Sequence, residues 1–339
     1  MGPPPSLSSS ARKAVEANKR TATGPRIGLP PPQTPADNPQ TFGPYHCSHV
    51  IAEGGMGVVV AAKHDVIGRT VALKIVNPRY AAKEGYKQEL IDQFLHEARV
   101  LGAIDHPHVV TLYDAGVIGQ CPFLALRFVD GGDLSSHIGR HGPLLGPQAL
   151  RLMSHCASAL RAVHAAGWVT RDLKPGNILL SKDLAPHLVD FGLAVPKGSQ
   201  PSADIIAGTP AFMAPEQITG EVLDERTDLY ALGATIHFTL TGQDPFTGDS
   251  PAEVIVSVRD SLNPPALPLA LHESDPHLCT IIEKTMSPQP DRRYKDALEL
   301  VHDCESVLAG GEPEYALIGA KSRRRKSFIG SIFDRTKGH

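Results

Sequence analysis

Two short stretches of this 339-residue chain hold residue types that chemistry needs. One is Thr170-Arg171-Asp172-Leu173-Lys174-Pro175-Gly176-Asn177, followed thirteen residues after Asn177 by Asp190-Phe191-Gly192. Two carboxylates and an amide in one neighbourhood can position a hydroxyl and hold Mg2+, which prefers oxygen ligands. The other is Ala52-Glu53-Gly54-Gly55-Met56-Gly57-Val58-Val59, with Lys74 of Val71-Ala72-Leu73-Lys74 seventeen residues after Gly57. Glycines let a turn bring backbone N–H groups close to phosphate oxygens, and a strand lysine adds a point charge. A glycine-rich hairpin alone is most often just a tight turn, so more weight rests on the first stretch, where the joint spacing is informative.

Elements must hold these residues in place. Short β-branched runs at His49–Glu53, Val58–Asp65 and Thr70–Val76, punctuated by glycines, predict two hairpins. Over residues 88–103 the apolar Leu90, Ile91, Phe94, Leu95, Ala98 and Leu101 gather on one side of a predicted helix that also carries Glu97. Two more strands are expected at Val109–Asp114 and Phe123–Val129, completing a five-stranded sheet. From Pro147 onward helical periods dominate, notably over 147–166, 226–241 and 293–308.

In chain order, the glycine loop, Lys74, Glu97, Asp172 with Asn177, Asp190, Ala214-Pro215-Glu216, Asp228 and Arg292 resemble the protein-kinase superfamily. The Gly54-Gly55-Met56-Gly57 loop is similar to that of the bacterial eukaryotic-like Ser/Thr kinases, and the resemblance covers about residues 45–308. It implies an α+β, bilobal protein-kinase fold, with a small β-rich lobe over 42–129 and a larger helical lobe over 130–311. The activity implied is transfer of the ATP γ-phosphate, with Mg2+, to Ser/Thr hydroxyls of protein substrates, with self-association for autophosphorylation in signalling.

The same resemblance assigns roles. Gly54 and Gly57 cover the ATP phosphates, Ala52 stands at the loop's first glycine position, and Lys74 contacts the α- and β-phosphates while pairing with Glu97. Val59, Ala72 and Leu179 sandwich the adenine, with Leu126 as gatekeeper and the backbone of 127–129, including Phe128 and Val129, as hinge; ordinary core packing explains these apolar residues equally well. Asp133 matches a ribose or substrate contact, and a helix N-cap is an equal reading. Asp172 orients the acceptor hydroxyl, Lys174 steadies the γ-phosphate, and Asn177 and Asp190 hold Mg2+. Thr209 is expected to bond Asp172 and Lys174, Glu216 and Arg292 to form a buried ion pair, and Asp228 to be a helix N-cap that bonds the catalytic-loop backbone.

Three departures stand out. Ala52 puts a methyl group into an expected tight turn. Thr170 replaces the usual His or Tyr before Arg-Asp; a void of side-chain size there costs about 1–3 kcal/mol and would leave the active arrangement in need of help. Arg127 replaces a common hinge Glu, which backbone contacts to adenine tolerate. Ser199 and Ser202 are the hydroxyls of the expected activation loop 194–207, and Arg171 is the candidate receiver of a phosphate there.

Composition sets the frame. Nine of the thirty prolines fall in the first 40 residues, so 1–41 reads as a disordered arm, while 312–339 reads as a basic tail, a solubilising segment before it is a phosphosite or a patch for an anionic membrane surface. Residues 321–339 carry net +6 and residues 1–40 net +3, which leaves −12 for 41–320 and argues against a specific nucleic-acid partner. No run of apolar residues reaches transmembrane length, and five cysteines show no framework spacing, so a cytoplasmic, reducing location is expected. One rival is a pseudokinase, a nucleotide-binding scaffold in which Ala52 and Thr170 degrade turnover. Lys74, Asp172, Asn177 and Asp190 weigh against it.

Overall fold

The computed structural model describes residues 41–54, 57–76, 86–118, 121–201 and 208–317. The proline-rich arm, most of the basic tail, Gly55, Met56 and Ser202 lie outside the described residues. The chain forms two compact units: among described residues the first holds 41–132 with 179–194, and the second 133–178, 195–201 and 208–317.

The first unit is built on an antiparallel sheet. Its strands are β1 (Thr41–Phe42), β2 (Tyr45–Glu53), β3 (Gly57–His64), β4 (Thr70–Val76), β5 (Leu112–Ile118) and β6 (Cys121–Arg127), in the order β1-β2-β3-β4-β6-β5. The short β1 makes it six-stranded instead of the expected five. Strand alternation sends Val71, Leu73 and Ile75 of β4 into a core with Tyr45, Val60, Ala62, Phe123 and Ala125. The intervening Ala72 and Lys74 therefore take the opposite face. Helix α1 (Tyr86–Gly102) buries Phe94, Glu97, Val100 and Leu101.

The fourth expected strand is displaced. Val109 and Val110 are buried outside the sheet, because Val109 forms a parallel bridge to Leu188 and the Val110 N–H donates to the Leu188 carbonyl at 2.9 Å. Leu188 belongs to β9 (Pro186–Leu188), which pairs with β8 (Ile178–Leu180). The loop after β6 is tied to the same hairpin, since Gly131 N–H donates to Leu180 O at 2.9 Å and Leu180 N–H to Gly132 O at 2.8 Å.

The second unit is helical: α2 (Leu134–His141), α3 (Gly146–Ala165), α4 (Pro215–Thr219), α5 (Glu225–Thr241), α6 (Pro251–Arg259), α7 (Leu269–Ser274), α8 (Pro276–Thr285) and α9 (Ala297–Leu308). Two-residue strands β7 (Trp168–Val169) and β10 (Val195–Pro196) pair antiparallel. Helix α5 is buried nearly all round, and its interior Thr235 and Thr239 hydroxyls donate back to Ala231 O and Thr235 O, each at 2.8 Å, so neither of these two is stranded. Helix α9 begins later than the expected 293, because Asp296 caps it by accepting the N–H groups of Leu298 and Glu299.

The chain does not lose structure at residue 311. A helical turn at 314–317 follows, held by the fully buried carboxylate of Asp303 in α9. Asp303 accepts the N–H groups of Glu314, Tyr315 and Ala316 at 2.8–3.0 Å, and the Tyr294 hydroxyl at 2.8 Å. Among the described residues no helix is long and apolar enough to cross a membrane.

Candidate active site

In the first unit, strand pairing assembles one chemical face. Val59 on β3 stands opposite Lys74 on β4, and Ala72 opposite Leu126 on β6. The N–H of Gly54 donates to Gly57 O at 3.0 Å, closing the glycine turn. Gly57 also has a packing reason to be glycine: a Cβ there would stand 2.3 Å from the Ile75 carbonyl oxygen across the β3–β4 pair. Phe128 and Val129 are half-buried after β6, and Leu179 is half-buried in β8.

Lys74 is the electrostatic centre of that face. Its Nζ donates to both oxygens of Glu97, at 2.9 and 2.7 Å, and to Asp190 Oδ1 at 3.3 Å. Burial alone would push the ammonium down, yet Glu97 and Asp190 outweigh it and hold Lys74 above its ordinary value, so it stays charged. The Glu97 carboxyl is pushed up by burial, which Lys74 offsets only in part. Helix α1 reaches the Asp190 segment a second time: His96 Nε2 lies 2.7 Å from the Ala194 carbonyl oxygen. Asp190 has φ 63°, a left-handed backbone that a non-glycine residue adopts at a cost.

The second unit holds the other acidic group. Asp172 Oδ2 accepts from Lys174 Nζ at 2.7 Å and from Asn177 Nδ2 at 3.0 Å, and Asn177 Nδ2 also donates to the Asp172 carbonyl at 2.8 Å. Asn177 thus spends its amide N–H groups on Asp172, and its Oδ1 remains as a hard oxygen donor. Asp172 follows Arg171, whose φ is 65° and whose buried Nε has no partner among the described residues. Burial lowers the Arg171 guanidinium, with Asp172 opposing. Gly208, φ 120°, approaches this loop so closely that a Cβ would meet Met213 Cε at 2.9 Å and Asp172 Oδ1 at 3.2 Å.

Several expectations are corrected. Ala52 is not in a tight turn: it is exposed on β2, paired with Val59 beside a bulge, and its φ is negative, so its methyl group meets no constraint. Thr209 opens the 3-10 turn Pro210–Phe212, and its hydroxyl makes no hydrogen bond to Asp172 or Lys174 among the described residues. The partner of Glu216 is Arg293, not Arg292. The 3-10 turn Pro290–Arg292 leaves Arg292 exposed and sends Arg293 inward, where Nη1 and Nη2 donate to the two Glu216 oxygens at 2.6 and 2.8 Å. The N-cap of α5 is Asp224, whereas Asp228 lies one turn further in.

Asp228 nonetheless bonds the catalytic-loop backbone, accepting the N–H groups of Thr170 and Arg171, and it also takes the Thr170 hydroxyl at 2.7 Å. The small side chain at 170 is accounted for by that bond. Asp133 caps α2, its two oxygens accepting from Ser136 N–H at 2.8 Å and Ser136 Oγ at 2.6 Å. Ser199 is held in a turn, its hydroxyl donating to Pro196 O at 2.6 Å and its carbonyl accepting from Leu223 N–H at 2.8 Å. His96, Arg293 and the Thr170 hydroxyl were not legible as contacts, since no spacing in the chain marks them.

Known proteins are similar to this chain in sequence over the same span. A model of the protein kinase domain matches residues 45–307. The serine/threonine-protein kinase PknH of Mycobacterium tuberculosis is 34% identical over 278 residues, which cover 81% of this chain and 44% of that protein. PknE of Mycobacterium bovis is 32% identical over 282 residues (81% and 48%), and PknB of Mycolicibacterium smegmatis 31% identical over 300 residues (86% and 47%). The chain thus spans a little under half the length of these relatives. With the match running from β2 into α9 and taking in Lys74, Glu97, Asp172, Asn177 and Asp190, this chain belongs to the protein kinase domain family.

Proposed function

We propose that the chain transfers the γ-phosphate of ATP to Ser/Thr hydroxyls of protein substrates, itself included. The observation that carries this reading is the held carboxylate of Asp172, fixed by Lys174 at 2.7 Å and Asn177 at 3.0 Å as a group that orients an acceptor hydroxyl must be. Lys74, kept charged by Glu97 and Asp190, is the cation for the α- and β-phosphates. Gly54 and Gly57 bound the turn that this reading assigns to the phosphates, and Val59, Ala72, Leu126 and Leu179 supply apolar surface for a purine, with the backbone of Phe128 and Val129 as its hydrogen-bonding edge. Asp133, already committed to Ser136, is a ribose contact only by rearrangement of that cap.

The donor chemistry fits Mg2+. Asp190 in the first unit keeps Oδ2, and Asn177 in the second keeps Oδ1, as a hard oxygen after its bonds to Lys74 and to Asp172 respectively. Mg2+ bound through such oxygens would neutralise negative charge on the phosphoryl oxygens. The relatives that carry the words serine/threonine-protein kinase support the acceptor class.

The test is Mg2+-dependent transfer of labelled γ-phosphate to the protein itself and to a generic basic protein. Lys74→Met and Asp190→Asn are expected to abolish transfer with the fold intact. Asp172→Asn is expected to lower turnover by roughly 10²-fold or more with ATP binding nearly unchanged. Undiminished transfer in any of the three overturns the assignment.

A further inference from the structure

Asp228 is 0% exposed, and its carboxylate is surrounded by donors from two successive residues. Oδ1 accepts the Thr170 hydroxyl at 2.7 Å and the Arg171 N–H at 3.1 Å; Oδ2 accepts the Thr170 N–H at 2.9 Å and lies 2.8 Å from His164 Nε2. A carboxylate taken out of water keeps its charge only where such donors replace the solvent. The two backbone donors would be present with any non-proline residue at 170 and 171. The hydroxyl would not.

Arg171 sits at φ 65°, held by its N–H on Asp228 and by its carbonyl, which accepts from Gln217 Nε2 at 2.8 Å. Asp172 is the next residue, so the direction of its side chain depends on that left-handed backbone. We propose that the Thr170 hydroxyl is a positioning group: by fixing the Asp228 carboxylate it holds Arg171 in the left-handed region and so aims Asp172. Thr170 is buried and touches no reacting atom; it acts through Asp228. The proposal rests on the reading of Asp172 as the residue that orients the acceptor hydroxyl.

Two variants separate the hydroxyl from the methyl group. Thr170→Val keeps the volume and removes the O–H; Thr170→Ser keeps the O–H and removes the methyl. Thr170→Val is expected to lower kcat about tenfold with the KM for ATP unchanged, because what is lost is one hydrogen bond to a buried carboxylate that is not among the residues assigned to the nucleotide. Thr170→Ser is expected to stay within about twofold of the parent, the hydroxyl being retained. Parent-like turnover in Thr170→Val, or equal losses in both variants, overturns the proposal while Asp172→Asn is inactive and the functional reading stands. If the parent protein transfers no phosphate, it is the functional reading that fails. Amide hydrogen exchange then decides the positioning role: the N–H groups of Thr170 and Arg171 should exchange faster in Thr170→Val than in Thr170→Ser with α3 unchanged, and equal exchange overturns it.

Discussion

At the scale of single residues, one position in the chain decides between a surface charge and a buried one. Arg292 is exposed, while the Arg293 side chain is 0% exposed and spends its guanidinium on Glu216, Ser287 O, Pro288 O and Arg226 O, lying 4.8 Å from the Tyr230 ring centre. Arg293→Ala leaves the Glu216 carboxylate buried without its cation, a loss of about 3–5 kcal/mol, whereas Arg292→Ala is expected within about 0.5 kcal/mol of the parent. Thermal or urea unfolding of the two variants checks this, and equal midpoints would contradict the assignment. Two adjacent arginines look alike in a sequence; what separates them is the 3-10 turn before them, and no residue type announces its rotation. Asp172, Asn177 and Asp190 stood out by their joint spacing, and Lys74 and Glu97 by their place in the motif order that the family resemblance supplies. Thr170 was legible only as a departure. Its explanation needed Asp228, 58 residues away.

At the scale of elements, periodicity found the long helices and the central strands, and it failed where a segment's partner lies far along the chain. The Val109-Val110 run has the composition of a sheet strand, yet its hydrogen bonds go to Leu188. Residues 293–296 carry buried Arg293 and Tyr294 and read as helix, but they precede the Asp296 cap. The turn at 314–317 was missed because a four-residue helix has no period of its own. Its order comes from Asp303, so Asp303→Ala should release it: three N–H groups and the Tyr294 hydroxyl lose their acceptor. Hydrogen exchange at 314–316 is expected to rise sharply, with the middle of α9 protected as before. Unchanged protection at 314–316 would show that the turn is held by something else.

At the scale of the whole molecule, each unit buries one histidine that resists protonation. His187 in the first unit is shifted down from 6.5 by burial and by the nearby Arg127 and His108, and His237 in the second is shifted down chiefly by burial. Each has a buried Nδ1 without a partner among the described residues. The unfolded chain takes up protons at these side chains near pH 6.5, and the folded chain does so only at lower pH. Below that pH the unfolded state therefore binds more protons, and stability falls as pH falls. The melting temperature is expected to be lower at about pH 5.5 than at about pH 7.5, and His187→Gln with His237→Gln to flatten the difference; an unchanged slope would remove these groups as the cause. The helical character of the later chain was legible from the periods that dominate from Pro147 onward, but the return of 179–194 to the first unit was not. That return bears on the order of synthesis. When Gly132 leaves the ribosome, β9 has not been made, and the backbone groups of Val110 and Gly131 still await Leu188 and Leu180. Residues 133–178, with α2 and α3, emerge before those partners do, so the first unit cannot close until a stretch of the second has been made, and a fragment ending at Gly132 is a protein without its closing strand.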